Sequence, residues 1–241
     1  MNYTLITGAS SGMGAAAAIR LSQTRPLVLA SENIAQLEAV RQQCVNPESH
    51  ILWHCDFAAE RGTIFSSLTN LMVARDVKIE EYVHFAGISI LLPVKNFTMT
   101  YVDKVFNVNF FSIIEILRVL LKKANGGMLK NIVLISALVS ERGNIGNSIY
   151  AASKGAINSL VYTLARELAP KTRINALLPG AIMTPMTANL DSEYLKEMEK
   201  DSPLGFGTPD DVVDYVEFLL SEKSKWITGQ TLFVDGGRST K

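Results

Sequence analysis

The chain has 241 residues, 48% of them apolar, and its 23 basic side chains balance its 23 acidic ones. That length suits one large α/β domain, the apolar content excludes a disordered chain, and the even charge gives no support to a nucleic-acid or polyanion binder. Cys44 and Cys55 are too few for a disulfide framework, the start lacks a signal-peptide pattern, and no window approaches the ~20 apolar residues of a membrane span, so a cytoplasmic protein with reduced thiols is expected.

Short apolar runs alternate with stretches of helical spacing. In chain order they read as a strand at 3–7, an Ala-rich helix at 12–23, a strand at 26–30, a helix at 34–44, and strands at 51–55 and 82–85. A long helix at 102–123 follows, then a strand at 132–136, a helix at 148–168 stopped near Pro170, a strand at 174–178, a helix at 209–220 and a strand at 231–234. The strands are rich in Val, Ile and Leu without polar alternation, as in a parallel sheet buried on both faces. The helix at 209–220 carries its own start signal, with Thr208 as cap, Pro209 in the first turn, and Asp210 and Asp211 facing the positive end of the dipole. This order predicts an α/β fold, a single Rossmann-like domain over 1–241, with a doubly wound parallel sheet of about seven strands and helices on both faces. The irregular stretch 183–207, with Pro185, Pro203, Gly205 and Gly207, falls after a strand end and reads as a substrate lid.

Two constellations carry chemistry. The first strand runs straight into Thr7-Gly8-Ala9-Ser10-Ser11-Gly12-Met13-Gly14 and then into a helix. Glycines there permit a tight turn and close backbone approach to a pyrophosphate, while the helix start offers free N–H groups to that anion. The second is Tyr150 and Lys154, four residues apart and so on one helix face. A phenol is a poor acid near neutrality, and a neighbouring ammonium is expected to lower its pKa. Tyr150 can then give a proton to a carbonyl oxygen as hydride arrives, or take one from an alcohol. Alone, such a pair on a helix is as readily a surface coincidence. His50, His54 and His84 have no metal-ligand spacing and read as structural; no metal is expected.

The glycine spacing G-x-x-x-G-x-G, with Asp56, Ala86-Gly87, Asn109, Tyr150-x-x-x-Lys154, Asn175, Pro179-Gly180, Thr184, Ile227-Thr228-Gly229-Gln230 and Val234-Asp235-Gly236-Gly237, resembles the short-chain dehydrogenase/reductase family over essentially the whole chain. The resemblance implies an NAD(P)-dependent oxidoreductase acting on CH–OH and C=O groups. It implies cofactor contacts from Gly8, Ser10, Ser11, Gly12, Met13 and Gly14. Asp56, with Phe57 beside it, would bind the adenine edge, and Ala86 and Gly87 would pass close to the ribose. Pro179 and Gly180 would turn the backbone toward the nicotinamide, Ile182 and Thr184 would contact its carboxamide, and Lys154 would also hold its ribose. The backbone of Asn109 would hold a water that relays protons to Lys154.

The chain departs from the family pattern in two places. Phe85 stands where the family has Asn. The family serine that meets the substrate oxygen precedes the tyrosine by thirteen residues, where this chain has Ala137. One extra residue in the loop 138–141 would give that role to Ser136, with Ser140 as an outside candidate.

After the second strand, Ser31 takes the place where NAD-specific members carry Asp, which favours NADP(H) over NAD(H). The run Ser31-Glu32-Asn33 resembles bacterial 3-oxoacyl-carrier-protein reductases, enzymes of fatty acid or polyketide biosynthesis. The expected reaction is reduction of a carrier-bound 3-oxoacyl thioester to its 3-hydroxyacyl form. The substrate pocket is expected from 89–94, the loop after Ser136 and the lid, with Lys122, Lys123, Lys130, Arg166, Lys171 and Arg173 available to an acidic carrier protein. A secondary-alcohol, sugar or steroid dehydrogenase is the alternative, and a catalytically silent nucleotide-binding subunit of a hetero-oligomer is the rival from another class. A homotetramer or homodimer through the helices at 102–123 and 148–168 is expected, a hetero-oligomer remains open, and neither nucleic acid nor membrane is expected as a partner.

Overall fold

Seven strands, β1 (Asn2–Thr7), β2 (Leu27–Ser31), β3 (Ile51–His54), β4 (Lys78–His84), β5 (Asn131–Ile135), β6 (Arg173–Pro179) and β7 (Thr231–Val234), make one parallel sheet in the order β3-β2-β1-β4-β5-β6-β7. The computed structural model describes residues 2–59, 62–188 and 190–240. Ten helices lie among them: α1 (Gly12–Leu21), α2 (Ile34–Arg41), α3 (Thr63–Ala74), α4 (Met99–Phe106), α5 (Ser112–Leu120), α6 (Val139–Arg142), α7 (Ser148–Leu168), α8 (Pro185–Ala188), α9 (Ser192–Lys200) and α10 (Pro209–Leu220).

Neighbouring strand residues point to opposite faces, and each face has its own core. Leu5, Val28 and Ile132 pack against α3, α5 and α7, while Ile6, Leu29 and Val133 pack against α1, α2 and α10. Burial on both sides is why the strands lack polar alternation; all five residues of β2 are buried. The chain winds outward from β1 to β3, then returns to β4 on the other side of β1. That reversal opens a crevice beyond the carboxyl ends of β1 and β4, where doubly wound sheets bind ligands. Among the described residues, no helix is long and apolar enough to cross a membrane.

The structure adds a helix, α3, that local pattern does not mark. Its first N–H groups are capped from a distance: the buried Glu115 carboxylate on α5 accepts from Gly62 N at 2.7 Å and Phe65 N at 3.0 Å. The expected helix at 102–123 is instead α4, a wide π-type turn at Asn107–Phe111, and α5. β4 begins at Lys78 and includes Glu81, whose carboxylate is satisfied by the Thr4 hydroxyl and by Arg25. The stretch expected as a lid carries α8 and α9.

The basic side chains available to an acidic carrier protein lie away from the crevice. Lys130 and Arg173 sit at the amino ends of β5 and β6, Lys171 just before β6, Lys122 and Lys123 after α5, and Arg166 in the last turn of α7. All six therefore occupy the sheet edge opposite the crevice. Lys130 pairs with Glu80, and the Arg173 guanidinium donates to the carbonyls of Ile227 and Leu219 at 3.0 and 2.8 Å. A carrier protein docked on these residues would therefore lie away from the opening of the crevice.

Candidate active site

The crevice starts where β1 turns into α1. Gly8 adopts φ 66°, and a Cβ there would lie 2.7 Å from the Ala86 nitrogen. A Cβ on Gly14 would overlap the Gly8 carbonyl, with 2.8 Å to its carbon. The glycines thus let β1, the end of β4 and the start of α1 meet backbone to backbone. Ser11 precedes α1 but makes no side-chain cap, leaving the first-turn N–H groups to the crevice. These free donors and the glycine-lined cradle fit the pyrophosphate of a dinucleotide.

Gly8, Ser10, Ser11, Gly12, Met13 and Gly14 line this crevice together. Ser31 closes one end, its Oγ 2.8 Å from that of Ser10 and accepting from Asn33 N at 3.2 Å. Asp56 is exposed beside it, with Oδ1 accepting from Ala58 N at 2.8 Å. Phe57 also lines the wall, but its ring is buried edge-on against Trp53 and His84. Ala86, Gly87 and Thr184 complete the far side. Glu32, Phe85 and Lys104 line the crevice as well, without having been assigned a role from sequence.

A second pocket continues from the first, sharing Met13, Phe85, Gly87 and Thr184. It is lined by Ser136, Tyr150, Lys154, Pro179, Gly180 and Ile182. The α7 helix brings Tyr150 and Lys154 to this wall on one face. Lys154 Nζ donates to the Ile135 carbonyl at 2.7 Å and stands 5.8 Å from the centre of the Tyr150 ring. Gly87 makes room for it: a Cβ there would lie 3.3 Å from Nζ. Gly180 N donates to Val234 O, holding the end of β6 against β7.

The charge states differ from the sequence-based expectation. Burial pushes the Tyr150 phenol up to about 12, and burial pulls the Lys154 amine down to about 7. The expected lowering of the phenol by its neighbour is corrected: Nζ is turned to the Ile135 carbonyl, and burial is the cause that acts on Tyr150. Tyr150 is therefore held as a neutral acid.

Lys154 also makes stability depend on pH. Its folded pKa lies below the ordinary lysine value, so between about pH 7 and 10 the unfolded chain binds more protons and stability rises with pH. Relative to Lys154→Met, the wild type should gain on the order of a few kcal/mol across that window and nothing below it. Urea titrations of both proteins at pH 6, 7, 8 and 9 check this; parallel curves at every pH would remove the buried amine as the cause.

Asn109 sits in the wide turn after α4, fully buried. Its Oδ1 accepts from Ile88 N at 2.8 Å, and Nδ2 donates to Ile88 O at 3.0 Å and Ser153 Oγ at 2.9 Å. The side chain thus ties the segment after β4 to α7, near Tyr150 and Lys154.

Ser136 reaches the pocket wall, but its hydroxyl donates to the Lys154 carbonyl at 3.0 Å. Ser140 donates to Ala137 O at 2.7 Å and accepts from Asn158 at 2.9 Å. Over the opening lies α9, joined to the loop below by Asn144 Nδ2 donating to the Tyr194 hydroxyl at 2.7 Å, and by Asp201, which pairs with Arg142 and Arg238. Asn147, also on the wall, had no assigned role from sequence.

The histidines are bound within the protein. His50 accepts from Leu27 N and bonds Val45 O, His54 bonds Glu32 O, and His84 meets the hydroxyls of Thr7 and Tyr82.

Residues 8–239 match a short-chain dehydrogenase family model described as "Enoyl-(Acyl carrier protein) reductase". The chain is 31% identical to a 3-oxoacyl-[acyl-carrier-protein] reductase from Thermotoga maritima, over 97% of this chain and 96% of that one. It is 33% identical to a D-erythrulose reductase from Gallus gallus, over 97% and 94%. Its fold superposes with a TM-score of 0.88 on a Brucella melitensis short-chain dehydrogenase/reductase titled glucose/ribitol dehydrogenase, at 29% identity, covering 100% of this chain and 97% of that one. With the glycine cradle at the strand reversal and the Tyr150–Lys154 pair beside it, these matches place the chain in the short-chain dehydrogenase/reductase family, oxidoreductases acting on CH–OH and C=O groups.

Proposed function

We propose that the chain is an NADPH-dependent ketoreductase that reduces a 3-oxoacyl thioester, carried on acyl carrier protein, to its 3-hydroxyacyl form. The observation that carries the substrate class is the wall beyond Tyr150: Leu91, Leu138, Val139, Met186, Leu190 and Met198 offer an apolar acyl chain more contact than a polyol. The relative from Thermotoga maritima bears that activity in its name.

When bound, the cofactor supplies the hydride. Gly8 to Gly14 would hold its pyrophosphate, Ser31 and Asp56 would meet the adenosine half, and Pro179, Gly180, Ile182 and Thr184 would hold the nicotinamide half. Tyr150, held protonated by burial, donates its proton to the carbonyl oxygen of the substrate. Lys154 orients the nicotinamide ribose, and Asn109 fixes the turn through which protons return to Lys154. A hydroxyl at Ser31, where a carboxylate would repel a 2′-phosphate, supports NADPH over NADH. The free thiols Cys44 and Cys55 fit a cytoplasmic setting, and self-association as a homodimer or homotetramer completes the proposal.

Steady-state rates test this with NADPH and NADH against a 3-oxoacyl thioester and a ketose of the erythrulose type. The expected result is a kcat/KM at least tenfold higher for the thioester and for NADPH. Preference for the ketose would move the substrate to the class named by the Gallus gallus relative. No turnover of any ketone, alone or with a partner subunit, would favour the silent-subunit alternative.

A further inference from the structure

Asn147 occupies the residue before α7, where an Asn side chain ordinarily caps the helix by accepting from its first N–H groups. Here it makes no such cap. The residue is 7% exposed and lines the pocket three residues before Tyr150, on the same side of the helix start. Among the described residues, no hydrogen bond to its carboxamide is found, although such a buried amide carries two donors and an acceptor.

Most of the other polar groups on this wall are engaged; Ser89 is exposed, and the Tyr194 hydroxyl accepts from Asn144. Ser136 donates to the Lys154 carbonyl, Lys154 to that of Ile135, and Thr187 to that of Ile182. Asn144 donates to Tyr194, and Arg238 to Asp201. Ala137 has no donor to give. A carbonyl oxygen gaining negative charge at Tyr150 needs a second donor, and a buried, preorganised one acts most strongly.

We propose that the Asn147 carboxamide is that donor, a catalytic residue that hydrogen-bonds the substrate oxygen beside Tyr150. The inference rests on the reading that a carbonyl is reduced at Tyr150, but not on which carbonyl compound.

The test uses whichever ketone the wild type reduces fastest, so that failure of the 3-oxoacyl proposal leaves it intact. Asn147→Ala should lower kcat by about 100-fold with KM changed less than about threefold, since the bond strengthens as charge develops. Asn147→Asp keeps the shape and permits a cap, so it separates chemistry from folding. Its carboxylate cannot donate near neutrality, and its kcat should recover as pH is lowered toward the carboxyl range while the wild-type profile does not. Thermal midpoint and cofactor dissociation constant should stay near wild type in Asn147→Asp. Ser136→Ala should lose less kcat than Asn147→Ala. Near-wild-type kcat in Asn147→Asp at pH 7, a loss that does not recover on acidification, or an equal or larger loss in Ser136→Ala would each overturn the assignment.

Discussion

Replacing Tyr150 by Phe is expected to lower kcat for ketone reduction by roughly 10²–10⁴-fold, the usual contribution of a positioned general acid, while NADPH binds within about twofold of wild type. Phenylalanine keeps the ring and its packing, so the variant removes one hydroxyl from a wall otherwise intact. Burial holds the hydroxyl protonated, up to about 12, so its proton is in place when hydride arrives, although the same shift makes it a weaker acid than a free phenol. The crevice that would hold the adenosine and pyrophosphate part of the dinucleotide is built by the glycine loop and the ends of β1 and β4, and does not include the Tyr150 side chain. Turnover measured at saturating NADPH, beside a fluorescence titration of NADPH, separates the two effects. Equal turnover by the variant would remove Tyr150 as the acid; loss of cofactor binding in parallel would make its role one of packing.

By microscopic reversibility the group that gives its proton in reduction is the base, as phenolate, in alcohol oxidation, and burial favours its protonated form. The sequence places Tyr150 and Lys154 on one helix face through spacing alone, but the sign of their pKa shifts is a tertiary property. It comes from the burial of both groups in the folded chain, which no local pattern encodes.

A similar division runs through the rest of the chain. The strands were legible because burial on both faces writes itself as continuous apolar runs, and the glycine loop because its backbone geometry admits few other residues. Helix α3 was not, since its cap is the carboxylate of Glu115 far along the chain. The break between α4 and α5 was hidden because the apolar pattern continues through the wide turn, with Val108 and Asn109 buried there. The basic residues were visible as charges, but only the strand order puts Lys130 and Arg173 at the edge away from the crevice. Asn147 reads locally as an ordinary cap; its unused carboxamide exists only in the folded chain.

Gly14→Ala is expected to weaken NADPH binding by about 100-fold and to destabilise the protein by about 3 kcal/mol, more than an exposed helix substitution should. Alanine is the best helix former, so on local propensity alone the change at the start of α1 would be favourable. The obstacle is the Gly8 carbonyl, which a Cβ would overlap, with the Ala9 Cα a further 3.3 Å neighbour. Both are backbone, and neither can rotate away. Gly8 has little room to retreat either, because the Ala86 and Phe85 backbone at the end of β4 stands within 2.9 Å of where its Cβ would be. The helix start must therefore move off the strand, carrying away the N–H groups offered to the pyrophosphate. Gly155→Ala supplies the contrast: it lies within α7 with nothing within 4 Å of an added Cβ, so the propensity gain of up to about 1 kcal/mol should appear. Urea midpoints and NADPH titrations of the two variants check both signs, and a Gly14→Ala protein as stable and as tight-binding as wild type would show that the crevice does not depend on this contact.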